Sequence, residues 1–216
     1  RFVTQILSGH SAPAELRFLK QPSGFLWCRV QAVAIFDESG QPVRLVGEIA
    51  DIDAEKRDTE RLRMKAQLDP LTGLYNASSA RKRIEASLQQ LPSVGMHVLM
   101  VIDVNHFKQI NDTCGHLTGD HALIETARRL SSMLNEGDIA GRIGGDEFIA
   151  LFRDVPSRDA LEKRIDELRR GLSFPLPDGL SMSASIGIAA FPNDAADYTG
   201  LFRLADASMY ADKRHR

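Results

Sequence analysis

Three regimes of hydrophobic and polar alternation divide the chain. Residues 15–52 carry β-formers in short runs separated by turn residues. Residues 25–36 include Trp27, Val30, Val33 and Ile35, Asp37-Glu38-Ser39-Gly40 reads as a turn, and residues 43–52 form a second apolar run. With a shorter strand over residues 15–19, ending at the Gln21-Pro22-Ser23-Gly24 turn, the pattern predicts a three-stranded antiparallel meander. So small a sheet buries little alone and calls for a helical partner, a second copy or residues further upstream. Residues 53–68 are dense in charge, with Ile52, Thr59 and Ala66 at heptad spacing and Leu62 between them. They predict a helix, either a solvated connector or a short coiled coil.

From Asp69 onward strands and helices alternate. Asp69-Pro70-Leu71-Thr72-Gly73-Leu74-Tyr75-Asn76 reads as a turn, in which Pro70 restricts Asp69 to extended backbone and Asn76 caps a helix over residues 77–90. Residues 96–104 form an apolar run, which predicts a strand buried on both faces. After a polar stretch, Asp120 is expected to open a long amphipathic helix with Leu123, Ile124, Ala127, Leu130 and Leu134 on one face. Strands over residues 138–143 and 148–153 flank Gly144-Gly145, a pair expected to form a tight hairpin through positive φ and close backbone approach. A helix over residues 158–171, with Leu161, Ile165 and Leu168 inward, a strand over 181–191 and a helix over 198–213 complete the series. The order β-α-β-β-α-β-α from Met96 predicts an α/β fold, an α+β sandwich of the βαββαβ palm or ferredoxin-like type.

Composition narrows the partners. At 216 residues the chain can hold one large domain or a modest domain plus a fragment. A formal net charge of −2 gives no global attraction to nucleic acid or to an anionic membrane. No run approaches the roughly 18 apolar residues of a membrane span. The opening Arg1-Phe2-Val3-Thr4-Gln5 has neither an initiator Met nor a signal-peptide pattern and reads as a cut inside a longer protein. Cys28 and Cys114 stand in no zinc or disulfide spacing, in keeping with a reducing, cytoplasmic compartment.

The chemistry concentrates at two acidic positions. Asp103 ends the buried strand, and Asp146 and Glu147 follow the paired glycines. Alone, the glycine bend is equally an ordinary hairpin with solvated charges. A βαββαβ sheet, however, sets its first strand beside the central hairpin, which brings Asp103 to Asp146 and Glu147. Two carboxylates about 4 Å apart repel by roughly 4 kcal/mol at an effective dielectric near 20. A Mg²⁺ or Mn²⁺ ion removes that penalty, and hard oxygen ligands suit both. Phe107 and Lys108 open the next turn, where free backbone N–H groups and a cation can hold phosphate oxygens. Asn111 and Asp120 offer an amide and a carboxylate, and a carboxylate facing N1–H and N2–H₂ selects guanine over adenine. Singly, Asn111 is also a turn residue, Asp120 a charge on a helix dipole, and Lys108 and Lys213 solvated cations.

Taken together these motifs resemble the GGDEF family of diguanylate cyclases over about residues 69–213. The resemblance rests on the Asp69–Asn76 stretch, Asp103-Val104-Asn105-His106-Phe107-Lys108 with Asn111-Asp112, Gly119-Asp120, Arg142-Ile143-Gly144-Gly145-Asp146-Glu147-Phe148, Ser185-Ile186-Gly187-Ile188-Ala189, and Ala205-Asp206-Ala207-Ser208-Met209-Tyr210 with Lys213. It implies condensation of two GTP molecules to cyclic di-GMP with release of two pyrophosphates, in a homodimer whose subunits each hold one GTP. Asp103, the Val104 carbonyl, Asp146 and Glu147 would serve the metal, Mg²⁺ or Mn²⁺, with Asp146 and Glu147 nearest the attacking hydroxyl. Asn111 and Asp120 would read guanine; Phe107, Lys108, Arg142 and Lys213 would face the phosphates. Upstream, Gly24-Phe25-Leu26-Trp27-Cys28-Arg29-Val30, Asp37 to Val43 and Val46-Gly47-Glu48-Ile49-Ala50-Asp51-Ile52 resemble the C-terminal strands of a PAS sensor domain. The implied organisation is a PAS-like segment at 1–52, a connector helix at 53–68 and a catalytic domain at 69–216. Two departures stand out. The family's Arg-x-x-Asp product-inhibition motif reads Asn135-Glu136-Gly137-Asp138, and an Asn cannot make the bidentate contact of an arginine. The chain also stops at Arg216, before the family's usual final strand. A non-catalytic module binding GTP or cyclic di-GMP is the alternative, and a cyclase making a mixed dinucleotide is disfavoured by Asp120.

Overall fold

The computed structural model describes residues 4, 6, 13–20, 24–89, 95–176 and 179–214. They belong to two compact units, Arg1–Met64 and Lys65–Arg216. The expected turn at Gln21-Pro22-Ser23, Gln90 at the expected end of the helix that opens at Ala77, and the last two residues, 215 and 216, lie outside the described residues.

In the first unit β1 (Ala14–Leu19), β2 (Phe25–Phe36) and β3 (Pro42–Asp51) form the antiparallel meander, in that order. Its second turn closes on one carboxylate: Asp37 Oδ1 accepts from Ser39 N, Ser39 Oγ and Gln41 N. Helix α1 (Asp53–Lys65) follows, and its Glu55 pairs with Arg29 of β2 while its Lys56 pairs with Glu15 of β1. Among the described residues every position of β3 is exposed, Leu45 and Ile49 included. On the heptad positions of α1, Ile52 at its head is buried, while Thr59 and Leu62 are exposed.

The second unit is built on a five-stranded sheet ordered β10-β5-β7-β6-β4. It comprises β4 (Tyr75–Asn76), β5 (Met96–Val104), β6 (Ile139–Arg142), β7 (Glu147–Val155) and β10 (Ala184–Phe191). β5, an apolar strand between β10 and β7, alternates between two cores. Val98, Met100, Ile102 and Val104 face one, with Leu123 and Leu130 of α4 (His116–Ser132) and Leu161 and Leu168 of α5 (Arg158–Gly171). Leu99 and Val101 face the other, with Ile84 of α2 (Ala77–Gln89) and Leu201, Ala205 and Met209 of α6 (Tyr198–Arg214). A strand that serves two cores has no polar face to spare, hence its near-continuous apolar run. At Gly187 of β10 a Cβ would collide with Ala205 O and Met209 N, so only glycine lets α6 lie this close to the sheet.

Asn76 caps α2 as expected, its Oδ1 accepting from Ser79 N at 3.0 Å. Four expectations need correction. The polar stretch after β5 is not a turn but a helix, α3 (Phe107–Cys114), carried by Phe107 and Ile110 packing inward. The long helix opens at His116 rather than Asp120, because α3 and α4 abut at Gly115. Gly144 and Gly145 do not take positive φ; Gly144 lies against the Glu147 side chain, where a Cβ would sit 2.5 Å from Oε2 and displace that carboxylate, and Gly145 has open space. Finally, the strand expected over 181–191 is two: β9 (Ser181–Met182) pairs with β8 (Phe174–Pro175), and β10 pairs with β5. Ser183 breaks them, its backbone carbonyl accepting from Asn105 N and its hydroxyl from Asn105 Nδ2.

Candidate active site

The pairing of β5 with β7 sets Asp103 opposite Glu147. Directly opposed residues in an antiparallel pair project to the same face, so the two carboxylates share one side of the sheet. Val104 N donates to Asp146 O at 3.1 Å, which closes the glycine bend onto the end of β5. Asp103 is buried, and Lys213 of α6 reaches it, Nζ to Oδ1 at 2.6 Å.

The electrostatics record this crowding. Burial first, then the charge of Asp103, raises the Asp146 carboxyl above its ordinary value. Glu147 is raised by burial and then by Asp103, Asp146 and Asp206. Lys213 is raised by its hydrogen bond to Asp103 and by all three acids. The cluster thus draws a cation inward, and it offers only oxygen donors at an open strand end. That suits Mg²⁺ or Mn²⁺, which take one or two carboxylates and fill the rest with water and phosphate oxygens. Among the described residues no three His, Cys, Asp or Glu side chains are grouped so as to hold a metal ion by themselves; an ion shared with a substrate takes one or two protein carboxylates and completes its shell with phosphate oxygens and water.

The remaining expected residues fall around this centre. Phe107 and Lys108 begin α3, with Phe107 half-buried and Lys108 exposed. The cap residue His106 makes no side-chain bond to the helix end, so the first-turn N–H groups are available to an anion. A Cβ at Gly119 would strike the Asn111 side-chain oxygen, so α3 and α4 bring Asn111 against the residue preceding Asp120. Asp120 lies in the second turn of α4 and is exposed.

Arg142 is held inward. Its Nη1 donates to Asp69 at 3.1 Å and its Nη2 to Gly145 O at 2.7 Å, tying the glycine bend to the Asp69 turn. Burial alone would raise Asp69, but two hydrogen bonds from Thr72 and the Arg142 charge outweigh it and hold the carboxyl low.

Two contributors to the site were given no role of their own in the sequence reading. Asp206 acts on Glu147 from about two helical turns before Lys213, a spacing of seven that a helical-face count could have found. Asp212 accepts from Ile186 N at 3.1 Å and Arg169 Nη2 at 3.1 Å, fixing the end of α6 that carries Lys213. Those contacts span distant segments.

Fold and site together define a palm-type α/β domain with an open carboxylate centre at a strand end. The chain belongs to the GGDEF family: residues 66–216 match the family model described as "Diguanylate cyclase, GGDEF domain". It is similar to the diguanylate cyclase DgcP of Pseudomonas aeruginosa, 36% identical over 169 residues that make up 76% of this chain and 25% of the relative. It is equally similar to the cyclic di-GMP phosphodiesterase PdeR of Escherichia coli, 35% identical over 76% of this chain and 25% of that protein. The chain therefore spans about a quarter of the length of either relative. A crystal structure of a sensory box/GGDEF family protein from Caulobacter crescentus aligns with a TM-score of 0.64 at 35% identity, covering 69% of this chain and 99% of that one. Among the described residues no helix is long and apolar enough to cross a membrane.

Proposed function

We propose that the second unit condenses two GTP molecules into cyclic di-GMP and two pyrophosphates, as half of a homodimer in which each subunit carries one GTP. The observation that carries this reading is the opposition of Asp103 and Glu147, beside Asp146, at the end of a buried strand. Asp103, the Val104 carbonyl, Asp146 and Glu147 are the groups that would hold Mg²⁺ or Mn²⁺, which would supply charge neutralisation of the triphosphate and a lowered pKa for the attacking 3′-hydroxyl. Asp146 and Glu147 stand nearest that hydroxyl, and one of the two accepts its proton. Lys213, Lys108 and the first-turn N–H groups of α3 hold phosphate oxygens, and Asn111 and Asp120 read guanine. Arg142 serves the phosphates at one remove, by fixing the glycine bend.

The domain plan accompanying this reading is a PAS-like end at residues 1–52, a connector at 53–68 and a catalytic domain at 69–216. The PAS-like segment sets how two catalytic domains face one another through the connector. The reaction belongs in the cytoplasm, where GTP is held. A non-catalytic GTP- or cyclic di-GMP-binding module is the second reading, favoured by the likeness to a phosphodiesterase.

Incubation with GTP and Mg²⁺ followed by nucleotide chromatography separates the two. Cyclic di-GMP is expected, at a specific rate that falls disproportionately on dilution, and Asp146→Ala should abolish it. GTP bound but unconverted at every protein concentration would favour the second reading.

A further inference from the structure

A cleft of about 380 Å³ lies between α2 and the start of β6, and no residue of the acidic centre lines it. Its walls include Tyr75, Arg83, Ser87, Asp138 and Arg153. Two of these present buried donors with nothing to receive them. The Ser87 hydroxyl and Arg153 Nε are both shielded from solvent and have no hydrogen-bond partner among the described residues. Ser87 itself is only 5% exposed, and it does not return its hydroxyl to its own helix, the usual resort of a serine in mid-helix. A buried donor without an acceptor is costly, and both of these donors belong to residues that line the one cleft.

The charges around the cleft point the same way. Among the described residues neither Arg83 nor Arg153 forms an ion pair. Arg83 lies over the Tyr75 ring at 4.3 Å and donates only to the neutral Gln67. The one nearby acid, Asp138, is spent: it accepts from Arg164 Nη2 at 2.6 Å, Asn135 N at 2.9 Å and Arg153 N at 2.8 Å. What remains among the described lining residues is two guanidinium groups, a hydroxyl donor and an aromatic ring, with no uncommitted carboxylate to oppose them.

We propose that this cleft is a binding site for a phosphate dianion, either free or as the terminal group of a phosphomonoester of mononucleotide size. Arg153 and Ser87 donate to the phosphate oxygens, Arg83 supplies the second cation, and its stack with Tyr75 forms the wall for whatever the phosphate carries. Guanidinium forks match phosphate geometry, and the cleft lies within the size range of small-ligand sites. The Asn135–Asp138 turn borders the cleft, but neither the Asn135 side chain nor the Asp138 carboxylate is among the proposed donors.

Isothermal titration calorimetry of the full 216-residue chain in phosphate-free buffer, with inorganic phosphate in one arm and GMP in the other, tests this. Saturable binding of at least one probe is expected. Equal affinity identifies the free ion as the ligand, and tighter GMP binding identifies the phosphomonoester. Arg153→Gln should weaken binding about tenfold or more, Ser87→Ala by less, and Asp146→Ala should leave it unchanged. Should Arg153→Gln lose its far-UV circular dichroism, Arg83→Gln carries the test. Absence of saturation by either probe would overturn the proposal. So would binding that survives the arginine substitutions and disappears in Asp146→Ala, since the ligand would then sit in the acidic centre.

Discussion

At the scale of single residues, the acids of the centre work against the fold that holds them. Asp146 and Glu147 have carboxyls raised above their ordinary values by burial and then by the charge of Asp103. A carboxyl raised in the folded state contributes stability that is complete below its unfolded pKa and is lost as pH rises through the folded value. At neutral pH the ionised pair is therefore a burden, and Asp146→Asn should raise Tm while removing activity. The gain should shrink as pH falls into the ordinary carboxylate range; thermal melts across pH 3–8 (roughly the span over which carboxylates titrate) check this. Asp138 is the opposite case. Its side chain, 1% exposed, is paired with Arg164 and receives two backbone N–H groups. Asp138→Ala leaves a half-buried guanidinium unpaired and should cost about 3–5 kcal/mol in denaturant unfolding. With Asn135 beside it and its carboxylate committed inward, cyclic di-GMP should inhibit weakly or not at all through this turn. Nanomolar binding there with strong inhibition would refute that.

At the scale of elements, the strongest local signals carried through. Asn76 was legible as a cap because an Asn before a helix has one obvious use. Asn76→Ala loses bonds to Ser79 N and Ala66 O and should destabilise the second unit by about 0.5–2 kcal/mol in equilibrium unfolding. β5 was legible because a strand buried on both faces leaves a pattern no surface strand can imitate. The α3–α4 pair was not, because α3 is a short helix with only Phe107 and Ile110 turned to the core, too few for a period to emerge. β4, two residues pairing in parallel with β6, is equally silent in the sequence. The glycine bend was placed correctly for a partly wrong reason: neither glycine takes positive φ, and the close neighbour of Gly144 is the Glu147 side chain rather than backbone.

At the scale of the whole molecule, the acidic centre was legible in advance because sheet order alone brings Asp103 to Asp146 and Glu147. The tie between Arg142 and Asp69 was not, since 73 residues separate the partners and each looks like an ordinary surface charge until the sheet closes. The same holds for Asp212, which anchors the far end of the chain to β10 and α5 and so delivers Lys213. The central claim is that Asp103 and the acids after the glycine bend share one divalent cation beneath the triphosphate. Electron paramagnetic resonance of Mn²⁺ titrated into the full chain with a non-hydrolysable GTP analogue reads that occupancy directly. Nucleotide-dependent Mn²⁺ binding is expected in the wild-type chain and should be lost in both Asp103→Asn and Asp146→Asn. Mn²⁺ binding that persists unchanged in both variants would contradict the account.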